Sequence, residues 1–559
     1  MPARPAAPAS FLIGTARLHA RDVAAAAADP SVRVVLSEQA LGVLGRSREV
    51  VQRAIESGHK VYGLNTLLGS GRDTAVAEES ILAYQVQVVR YHDSGVGGLL
   101  DAAEARATVL ARLIGFSRGG SGVRPETARF YARLLNRGVL PAIPRDGSVG
   151  SSDLTQLAAV AAVAIGEGQV LSPDGPPVPG AQALAAAGLE PLALGPGEAL
   201  ALVSANSYSI GVGALLLGRL LRLADLADTA LALSLEATAR YDGGGNLSPF
   251  SAAVQAAKAV DGQAVSAGNV RRLVRGGWLE QDGREASVQD ALSFRAAPQT
   301  HGAFRWQLSA LEEALEVELN GQGDNPLTDL ASGRMVSGGN FQPMQLALAF
   351  EALRVGLAHL GISSERRIAK LYPPQRRIRQ QHLAAARDGA ALEREELPGL
   401  LWYSAAGLLA ELKTLAAPAT LGAPTLSADL EDHSTLAPLA LQQLERSADA
   451  AEKLFTIEAL TAAYLLSRAG DSAGDIAGAG DADTDQGAAG PGARPLGAGT
   501  GAIQARLAHV LAQGAAGGLT ASALLDAARD DLHSALAERA TGEGESHDGE
   551  AHGRGEAAQ

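Results

Sequence analysis

The sequence predicts a mainly α-helical protein with a long central helix bundle, and two observations lead to this prediction. Apolar residues recur at helical spacing through most of the chain, whereas alternating strand patterns are confined to a few short hairpins. Aromatic residues make up only 4% of the sequence, so Ala, Leu and Val must fill the core. Small side chains let helices approach each other closely, which favours a bundle.

Helical segments follow one another along the chain. The predicted helices cover 37–57, 78–91, 102–116, 126–139, 154–166, 198–238, 299–319, 341–363, 398–416, 434–467 and 500–540. Pro125 suits the first turn of the fourth helix. The segment 198–238 is apolar on all sides and would extend about 60 Å as one helix, so we expect it inside the bundle.

The chain between these helices is irregular. Residues 1–30 are rich in Ala and Pro and are predicted to be mobile or loosely packed, and 167–197 should contain short β-like pieces. The predicted organisation is an N-terminal domain (1–200), a central long-helix bundle (201–468), a disordered insertion (469–499), a C-terminal helical segment (500–540) and a disordered tail (541–559).

Composition excludes several classes of protein. The chain has 559 residues, 47% of them hydrophobic, which is enough for a large core and too many for a wholly disordered chain. A net charge of −14 argues against nucleic-acid binding, and the absence of cysteine excludes disulfides, thiol nucleophiles and Cys-ligated metals. The first residues, MPARPAAPASFLIG, contain no long apolar segment, and no membrane-spanning window is evident, so we expect a cytoplasmic protein without membrane or metal partners.

Polar islands interrupt the otherwise apolar chain. They are VYGLNT with Tyr62, RYHDSGVG with His92, DGSVGSSDL with Ser151 and Ser152, VQDALSFR with Gln289 and Arg295, and LEDH with Glu431. In a helical bundle, polar groups far apart in sequence can meet where several helix ends converge.

The islands belong to an ordered series of motifs that extends from about residue 35 to 468. The series is YGLNT, H-x-x-G-V-G at 92–97, SGVRPE, GSVG at 147–150, VQD, S-x-R at 293–295, PQ at 298–299, DNPL at 324–327, SGGNF, SERR and EDH at 431–433. Together these motifs resemble the histidine and aromatic amino acid ammonia-lyase family. Eleven motifs in the right order are far more specific than any single one.

The resemblance implies a mostly helical fold, a homotetramer, and active sites assembled from several subunits. It also implies a small-molecule substrate, an amino acid or its unsaturated acid. In the family an internal Ala-Ser-Gly cyclises to the electrophilic group MIO. The backbone nitrogen of the third residue attacks the carbonyl of the first, two waters leave, and the resulting alkene captures the substrate. A tyrosine then removes a β-proton, and ammonia departs.

This sequence departs from the family at the triad itself. The family pattern GSVG-ASG-DL is replaced by GSVG-SS-DL, with one residue fewer and no glycine after the serines. The triad would be Gly150-Ser151-Ser152 or Ser151-Ser152-Asp153, and each places a bulkier residue third. Cyclisation needs a tight backbone that a Cβ obstructs. We therefore expect no certain cofactor and no normal MIO group.

Three further departures lie in the same apparatus. Leu292 stands where the family has a tyrosine, and Ser204 where it has an asparagine, although Asn206 could reach a similar place. Leu67 replaces a loop glycine, which should stiffen the loop of Tyr62. The structural motifs persist while the catalytic ones change, which indicates altered or lost chemistry rather than a decayed fold.

The resemblance also assigns roles to individual residues, each beside a structural alternative. Tyr62 would be the catalytic base, or a loop aromatic that packs on the core. His92, with Tyr91 beside it, would contact the substrate ring, or be a structural histidine. Arg295 would clamp a carboxylate through two parallel hydrogen bonds, or form an interhelical salt bridge.

Amides and a carboxylate complete the predicted set. Gln289 and Asn325 would orient the ligand or its loop, or satisfy buried backbone groups as structural amides. Asn206 is placed with them as a substrate-binding residue. Glu431 would meet a cationic group, or stabilise a helix N-terminus through the helix dipole. Ser151 and Ser152 could form an abnormal electrophile, act as hydroxyl donors or a base, or cap the helix that starts near Asp153.

The sequence thus predicts a divergent ammonia-lyase-family enzyme. It would catalyse C–N elimination, addition or a related step on an aromatic or imidazole amino acid or its unsaturated acid. Two alternatives stay open: an authentic MIO-dependent histidine or tyrosine ammonia-lyase, and a catalytically inactive homologue that binds a ligand.

Overall fold

The computed structural model of the protein describes residues 9–14, 16–281, 287–388, 396–468 and 494–550, and it is mainly helical, as predicted. The α-helices are α1 (Ala20–Ala28), α2 (Glu38–Glu56), α3 (Ile81–His92), α4 (Ala102–Ser117), α5 (Pro125–Asn136), α6 (Leu154–Ala164), α7 (Gly180–Ala186), α8 (Glu198–Val203), α9 (Ser207–Asp242), α10 (Ala252–Ala257), α11 (Asp261–Val274), α12 (Leu292–Arg295), α13 (Ala297–Asn320), α14 (Met344–Arg387), α15 (Leu401–Leu415), α16 (Ala437–Arg468), α17 (Ala498–Gly517) and α18 (Ala521–Glu550).

The described strands form four two-stranded pairs. The strands are β1 (Ser10–Ile13), β2 (Arg33–Leu36), β3 (Val96–Leu99), β4 (Pro144–Asp146), β5 (Gln169–Ser172), β6 (Gly175–Pro179), β7 (Leu327–Asp329) and β8 (Arg334–Val336). The pair β1–β2 is parallel, and the pairs β3–β4, β5–β6 and β7–β8 are antiparallel. The β5–β6 hairpin confirms the short β-like pieces expected within 167–197.

Local sequence signals account for several helix starts. Ser37 caps α2 by accepting a hydrogen bond from the amide of Ala40. Asp101 and Glu104 form a reciprocal capping box at the start of α4. Pro125 occupies the first turn of α5, where its missing N–H costs nothing. The predicted bounds of these helices are therefore confirmed to within a few residues.

The long apolar segment 198–238 is not one helix, so that prediction was wrong. It forms α8 and α9, which are separated by residues 204–206. The break has a tertiary cause, because the carbonyl of Ala205 accepts a hydrogen bond from the amide of Asp153, and the Ser204 hydroxyl contacts Ser152. Residues 204–206 therefore bond to residues 152 and 153 instead of continuing the helix.

The N-terminal region is better ordered than its composition suggests. Residues 1–8 and 15 lie outside the described residues, but β1 and α1 are formed within the segment predicted to be loosely packed. The side chain of Asn136 bonds both the amide and the carbonyl of Val34, which anchors β2 and hence its partner β1. The interpretation of residues 1–30 as loose was therefore wrong for 10–13 and 20–28.

The C-terminal segment contains two helices in place of the single predicted region 500–540. Gly518, with φ +70°, ends α17 in the left-handed conformation that glycine adopts without strain. Helix α18 continues past residue 540 to Glu550, although Gly542, Gly544 and Gly549 have low helix propensity. The remainder of the predicted tail, 551–559, and residues 469–493 of the predicted insertion lie outside the described residues.

The described chain divides into two compact units. Unit 1 comprises Met1–Arg219, Ser309–Ala352 and Pro418–Leu444, and unit 2 comprises Leu220–Leu308, Leu353–Ala417 and Glu445–Gln559. The predicted site residues therefore divide between the units: Tyr62, Tyr91, His92, Ser151, Ser152, Asn206, Asn325 and Glu431 belong to unit 1, and Gln289 and Arg295 to unit 2.

Two described helical stretches are long and apolar enough to cross a membrane by length and composition alone. They are Glu198–Asp242 and Met344–Arg387. The most apolar window of the first is 94% buried inside the protein, and that of the second is 50% buried. Burial in the protein core explains the apolar character of the first stretch.

A buried ion pair organises unit 2. The guanidinium of Arg367 on α14 donates to both carboxylate oxygens of Glu458 on α16, at 2.6 and 2.9 Å, and both side chains are fully buried. Ser234 on α9 also donates to Glu458, and Arg367 donates to the carbonyl of Ser293. Four chain segments are therefore joined by one charged pair whose hydrogen-bonding capacity is used.

Glu458→Gln should lower the free energy of unfolding by at least about 3 kcal/mol, because it leaves the buried Arg367 without its counter-charge. The matched control is Glu411→Gln, which breaks the exposed pair with Arg446 and should cost less than about 1 kcal/mol. Urea denaturation followed by circular dichroism measures both. Equal losses in the two variants would contradict the organising role of the buried pair.

Candidate active site

The two serines lie in a tight loop between β4 and α6 in unit 1. Gly150 has φ +86° and Ser152 has φ +68°, so a residue with a Cβ occupies the left-handed region at position 152. The backbone of Gly150 pairs with that of Ser152 across the turn. Both serines are buried, with exposed fractions of 6% and 1%. A strained, buried serine turn of this kind is typical of a functional site.

Three distant segments of unit 1 hold this turn. The hydroxyls of Ser151 and Ser434 lie 2.9 Å apart, and Gln342 donates to the Ser151 hydroxyl at 3.2 Å. The hydroxyls of Ser152 and Ser204 lie 3.1 Å apart. The amide of Ser152 donates to the carbonyl of Phe341 at 3.3 Å. Both serine hydroxyls are thus placed by other polar side chains.

The helix-cap interpretation of the two serines is wrong. Helix α6 does begin at Leu154, with Asp153 before it, but Asp153 makes no side-chain cap bond. The amide of Thr155 instead donates to the hydroxyl of Ser148, at 3.0 Å. Ser148 therefore satisfies the helix start, and the hydroxyls of Ser151 and Ser152 are left for other roles.

Tyr62 lies in the loop between α2 and α3, where its hydroxyl accepts a hydrogen bond from the amide of Gly69 at 3.0 Å. Gly63 beside it has φ +68°, and a Cβ there would overlap Leu200, so the turn requires glycine. Burial raises the pKa of Tyr62, and the nearby carboxylate of Glu431 raises it further. The phenol is therefore neutral near pH 7 in this chain.

A small cavity of about 20 Å³ joins several of these residues. Tyr62, Ser204 and Asn325 line it, together with Ser121, whose buried hydroxyl has no hydrogen-bond partner. Ser204 in turn contacts Ser152. The structure thus brings the predicted base and one predicted amide to one cavity, and Ser204 connects this cavity to Ser152 of the tight loop.

His92 is the last residue of α3, and its Nδ1 lies 2.7 Å from the carbonyl of Val88. Because a carbonyl accepts, Nδ1 carries the proton, and the other ring nitrogen is left to meet a ligand. The neighbouring Tyr91 packs edge-to-face with His92 at 5.7 Å, and its side chain is 84% exposed in the single chain.

Glu431 does not begin a helix, so its interpretation as a helix N-terminal carboxylate is wrong. Helix α16 starts at Ala437, and Glu431 lies before it in a turn paired with Leu426. Asn325 accepts a hydrogen bond from the amide of Gly338 at 3.0 Å, which orders the loop after β8. This contact agrees with the loop-orienting role considered for Asn325.

Sequence reasoning missed two acids near the serine turn, of which Asp153 is buried and Glu318 is half-buried. Asp153 is fully buried and accepts hydrogen bonds from the amide and hydroxyl of Ser209, and burial raises its pKa to about 7. Glu318 receives a hydrogen bond from Asn206 at 3.3 Å, and burial raises its pKa too. Asp153 could have been found from its place directly after the serines, but nothing in the sequence around Glu318 marks it.

Gln289 and Arg295 lie in unit 2. Gln289 is exposed, and its neighbour Asp290 accepts hydrogen bonds from the amides of Gly245 and Asn246. Arg295 ends α12, and its Nε is buried without a hydrogen-bond partner. The guanidinium is not engaged in a salt bridge with any residue that the structure describes. The salt-bridge alternative for Arg295 therefore has no support among the residues that the structure describes.

In the described ranges, no group of three or more His, Asp or Glu side chains is arranged to hold a metal ion. The polar groups around the turn and the small cavity in unit 1 are hydroxyls, amides, a phenol and the carboxyl groups of Asp153 and Glu318, which suit hydrogen bonding to an organic ligand.

Comparison with known proteins identifies the family to which the chain is similar. The family model for aromatic amino acid lyases matches residues 18–479. The chain is 36% identical over 453 residues to the histidine ammonia-lyase of Anaeromyxobacter dehalogenans strain 2CP-C, covering 79% of this chain and 87% of the relative. It is also 36% identical over 438 residues to the histidine ammonia-lyase of Stigmatella aurantiaca, covering 78% and 84%.

Two solved enzyme structures have a fold similar to that of this chain. The ergothioneine-degrading enzyme ergothionase from Treponema denticola superimposes with a TM-score of 0.80 at 25% identity, covering 94% of this chain and 99% of that one. The tyrosine aminomutase of Streptomyces globisporus superimposes with a TM-score of 0.77 at 29% identity, covering 96% and 98%.

Gly150→Ala should disrupt the serine turn. Its Cβ would overlap the Thr435 hydroxyl and lie 2.8 Å from the backbone nitrogens of Leu436 and Ala437, in addition to the strain of φ +86°. Gly138→Ala is the matched control, because it also has positive φ but open space around it. Urea denaturation should show a loss of about 1–2 kcal/mol for the control and about twice that or more for Gly150→Ala. Equal losses would contradict the close packing of the turn.

Proposed function

The chain belongs to the aromatic amino acid lyase family, and from that premise we propose that it catalyses a C–N elimination or addition. The substrate is an aromatic or imidazole amino acid, or the corresponding unsaturated acid. The observation that carries this proposal is the shared cavity of Tyr62, Ser204 and Asn325, in which the Ser204 hydroxyl lies 3.1 Å from that of Ser152. The relatives named histidine ammonia-lyase and tyrosine aminomutase support a ring-bearing amino acid as substrate.

We propose further that a normal MIO group does not form. In the possible triad Gly150-Ser151-Ser152, the third residue is Ser152. This residue is buried, and its hydroxyl contacts that of Ser204. Its backbone nitrogen, which would have to attack the carbonyl of Gly150, donates instead to Phe341. These contacts support a serine pair that acts through its hydroxyls.

A second candidate is an authentic MIO enzyme that matures from Gly150-Ser151-Ser152. One observation favours it: the backbones of Gly150 and Ser152 already face each other across the turn, and Ser152 takes the left-handed conformation that glycine would adopt. The other possible triad, which ends in Asp153, has no such support, because the Asp153 amide donates to Ala205.

In the proposed reaction, Tyr62 removes or returns the β-proton. Arg295 binds the substrate carboxylate through two parallel hydrogen bonds. Glu431 meets the cationic amine or imidazole, while His92 and Tyr91 contact the ring. Asn206, Gln289 and Asn325 orient the ligand and its loops.

A homotetramer in the cytoplasm is part of the proposal. Several large apolar side chains are exposed on the single chain: Val288 is 90% exposed, Tyr91 84% and Trp306 69%. Val288 and Tyr91 adjoin the predicted site residues Gln289 and His92. Contacts from another subunit would cover such side chains and complete the site.

The direct assay is ammonia release from histidine, tyrosine and phenylalanine, with ammonia addition to their unsaturated acids as the reverse reaction. Turnover of any of them supports the proposal. If none turns over and none binds, the proposed function is wrong. If one binds without turnover, the chain is an inactive ligand-binding homologue.

The pH dependence tests Tyr62. Because burial raises its pKa above the ordinary value near 10, the phenolate fraction grows about tenfold per pH unit below the pKa, and kcat/KM should rise accordingly between pH 7 and 9. Tyr62→Phe should remove this rise and lower kcat/KM by at least about a hundredfold. Tyr84→Phe, which changes a neighbouring half-buried phenol, should keep the rise. A flat profile in the parent enzyme would exclude Tyr62 as the base.

Substitution of Arg295 tests the carboxylate clamp. Arg295→Ala should raise KM by at least about tenfold, and Arg295→Lys should be intermediate because it keeps the charge but loses the two parallel hydrogen bonds. The matched control is Arg275→Ala, at an exposed arginine of the same unit. Steady-state kinetics measure all three. An unchanged KM in Arg295→Ala would refute the clamp.

A further inference from the structure

Left-handed backbone is concentrated in two segments of unit 1. In the part of the chain that the structure describes, five non-glycine residues have positive φ: Ser152, Ser427, Ala428, Asp429 and Leu436. Three of them are consecutive, with φ of +54°, +51° and +63°, and residues 427–429 are called the left-handed turn below. This conformation is unfavourable for L-residues, because the Cβ crowds the following carbonyl. A run of three such residues therefore persists only where surrounding contacts hold it.

Backbone hydrogen bonds close the left-handed turn. The amide of Leu426 donates to the carbonyl of Glu431 at 2.9 Å, and the amide of Glu431 donates to the carbonyl of Leu426 at 3.2 Å. The amide of Leu430 donates to the carbonyl of Ser427 at 3.3 Å. The side chain of Ala428 is exposed, so its burial does not account for the conformation. The closed turn fixes the place at which the chain reaches Glu431.

The left-handed turn also contacts the loop of Tyr62. A Cβ on Gly69 would come within 2.7 Å of the Ser427 hydroxyl oxygen, so the two segments approach closely at a glycine with φ +56°. The amide of Gly69 donates to the hydroxyl of Tyr62, and the carbonyl of Gly69 accepts from the amide of Arg72 at 3.1 Å. Gly69 thus lies between the left-handed turn and the proposed base.

The same phenol is affected from both ends of the turn. Burial is the main reason for the raised pKa of Tyr62, the hydrogen bond from Gly69 lowers this pKa, and the carboxylate of Glu431 raises it. Arg72 lowers it as well. Because the left-handed turn begins against Gly69 and leads into Glu431, its conformation determines whether both groups remain beside the phenol.

We infer that Ser427, Ala428 and Asp429 are positioning residues for the proposed reaction. Their left-handed turn holds Gly69 beside the Tyr62 hydroxyl and keeps the Glu431 carboxylate near the same phenol. Relaxation of the turn to right-handed conformations releases both contacts together. The catalytic part of this inference rests on the proposed function, whereas the coupling between the two segments depends on no reaction.

Hydrogen exchange followed by mass spectrometry on the full-length protein measures the coupling without a substrate. Ala428→Val places a β-branched residue at positive φ and should speed amide exchange about fivefold or more, in 424–433 and in 64–76 alike. Ala428→Gly accepts positive φ without strain and should slow exchange in both segments by a similar factor. The matched control is Ala423→Val, at φ −63° before the turn, which should leave exchange in 64–76 unchanged.

Two outcomes would overturn the inference. The first is altered exchange in 424–433 with unchanged exchange in 64–76, which would show that the left-handed turn is a purely local structure. The second is faster exchange in both segments in Ala428→Gly, which would show that no strain is relieved at this position. If Ala428→Val does not fold, Ala428→Gly still decides between coupling and a local role.

Steady-state kinetics separate this inference from the proposed function. With any substrate that turns over, Ala428→Val should lower kcat/KM at least about tenfold through misplacement of Tyr62, while Ala428→Gly and Ala423→Val should keep the parental value. An unchanged kcat/KM in Ala428→Val would refute the positioning role and leave the proposed function standing. Coupled exchange in a parent protein that turns over no substrate would refute the proposed function and support the coupling alone.

Discussion

The backbone of the serine turn is the constraint on which the candidate active site depends. Gly150 and Ser152 have positive φ angles. Hydrogen bonds from three other segments stabilise this conformation of the turn; the segments lie around 204–206, 341–342 and 434–437. The hydrogen bonds to residues 204–206 also interrupt the apolar segment 198–238, which therefore forms α8 and α9. Contacts from sequence-distant parts of unit 1 thus stabilise a strained backbone conformation. The same contacts orient the hydroxyls of Ser151 and Ser152 toward defined hydrogen-bond partners.

Charge and burial around the turn determine what chemistry is available. Burial raises the pKa of Tyr62, of Asp153 and of Glu318, so the phenol and the two acids favour their neutral forms more than they would in water. A cationic substrate would reverse part of this shift, since a positive charge favours the ionised forms.

Much of the architecture follows from local sequence. Apolar spacing, the Ser37 cap, the capping box of Asp101 and Glu104, and Pro125 predict helices that the structure confirms. The failures have tertiary causes that no local pattern carries. The break at 204–206 comes from contacts with residues 152 and 153, and β1–β2 is anchored by Asn136.

The candidate site was predictable only through its ordered motifs. Tyr62 and Asn325 line one small cavity, whereas local reasoning alone would have assigned the serines to a helix cap that Ser148 provides. Glu318 escaped prediction because a glutamate within a helix is ordinarily exposed. The roles of Arg295, Glu431 and the remaining residues stay predictions for the kinetic variants to decide.

The mass of the serine turn tests the central claim most directly. Intact-mass measurement of the purified protein, with peptide mapping across the segment that contains Gly150, Ser151 and Ser152, distinguishes a serine pair from a cyclised prosthetic group. The account predicts the unmodified mass of the encoded sequence. Loss of two waters from this peptide would contradict it and establish an MIO-type group, while loss of one water would reveal a dehydrated serine and equally exclude catalysis by two intact hydroxyls.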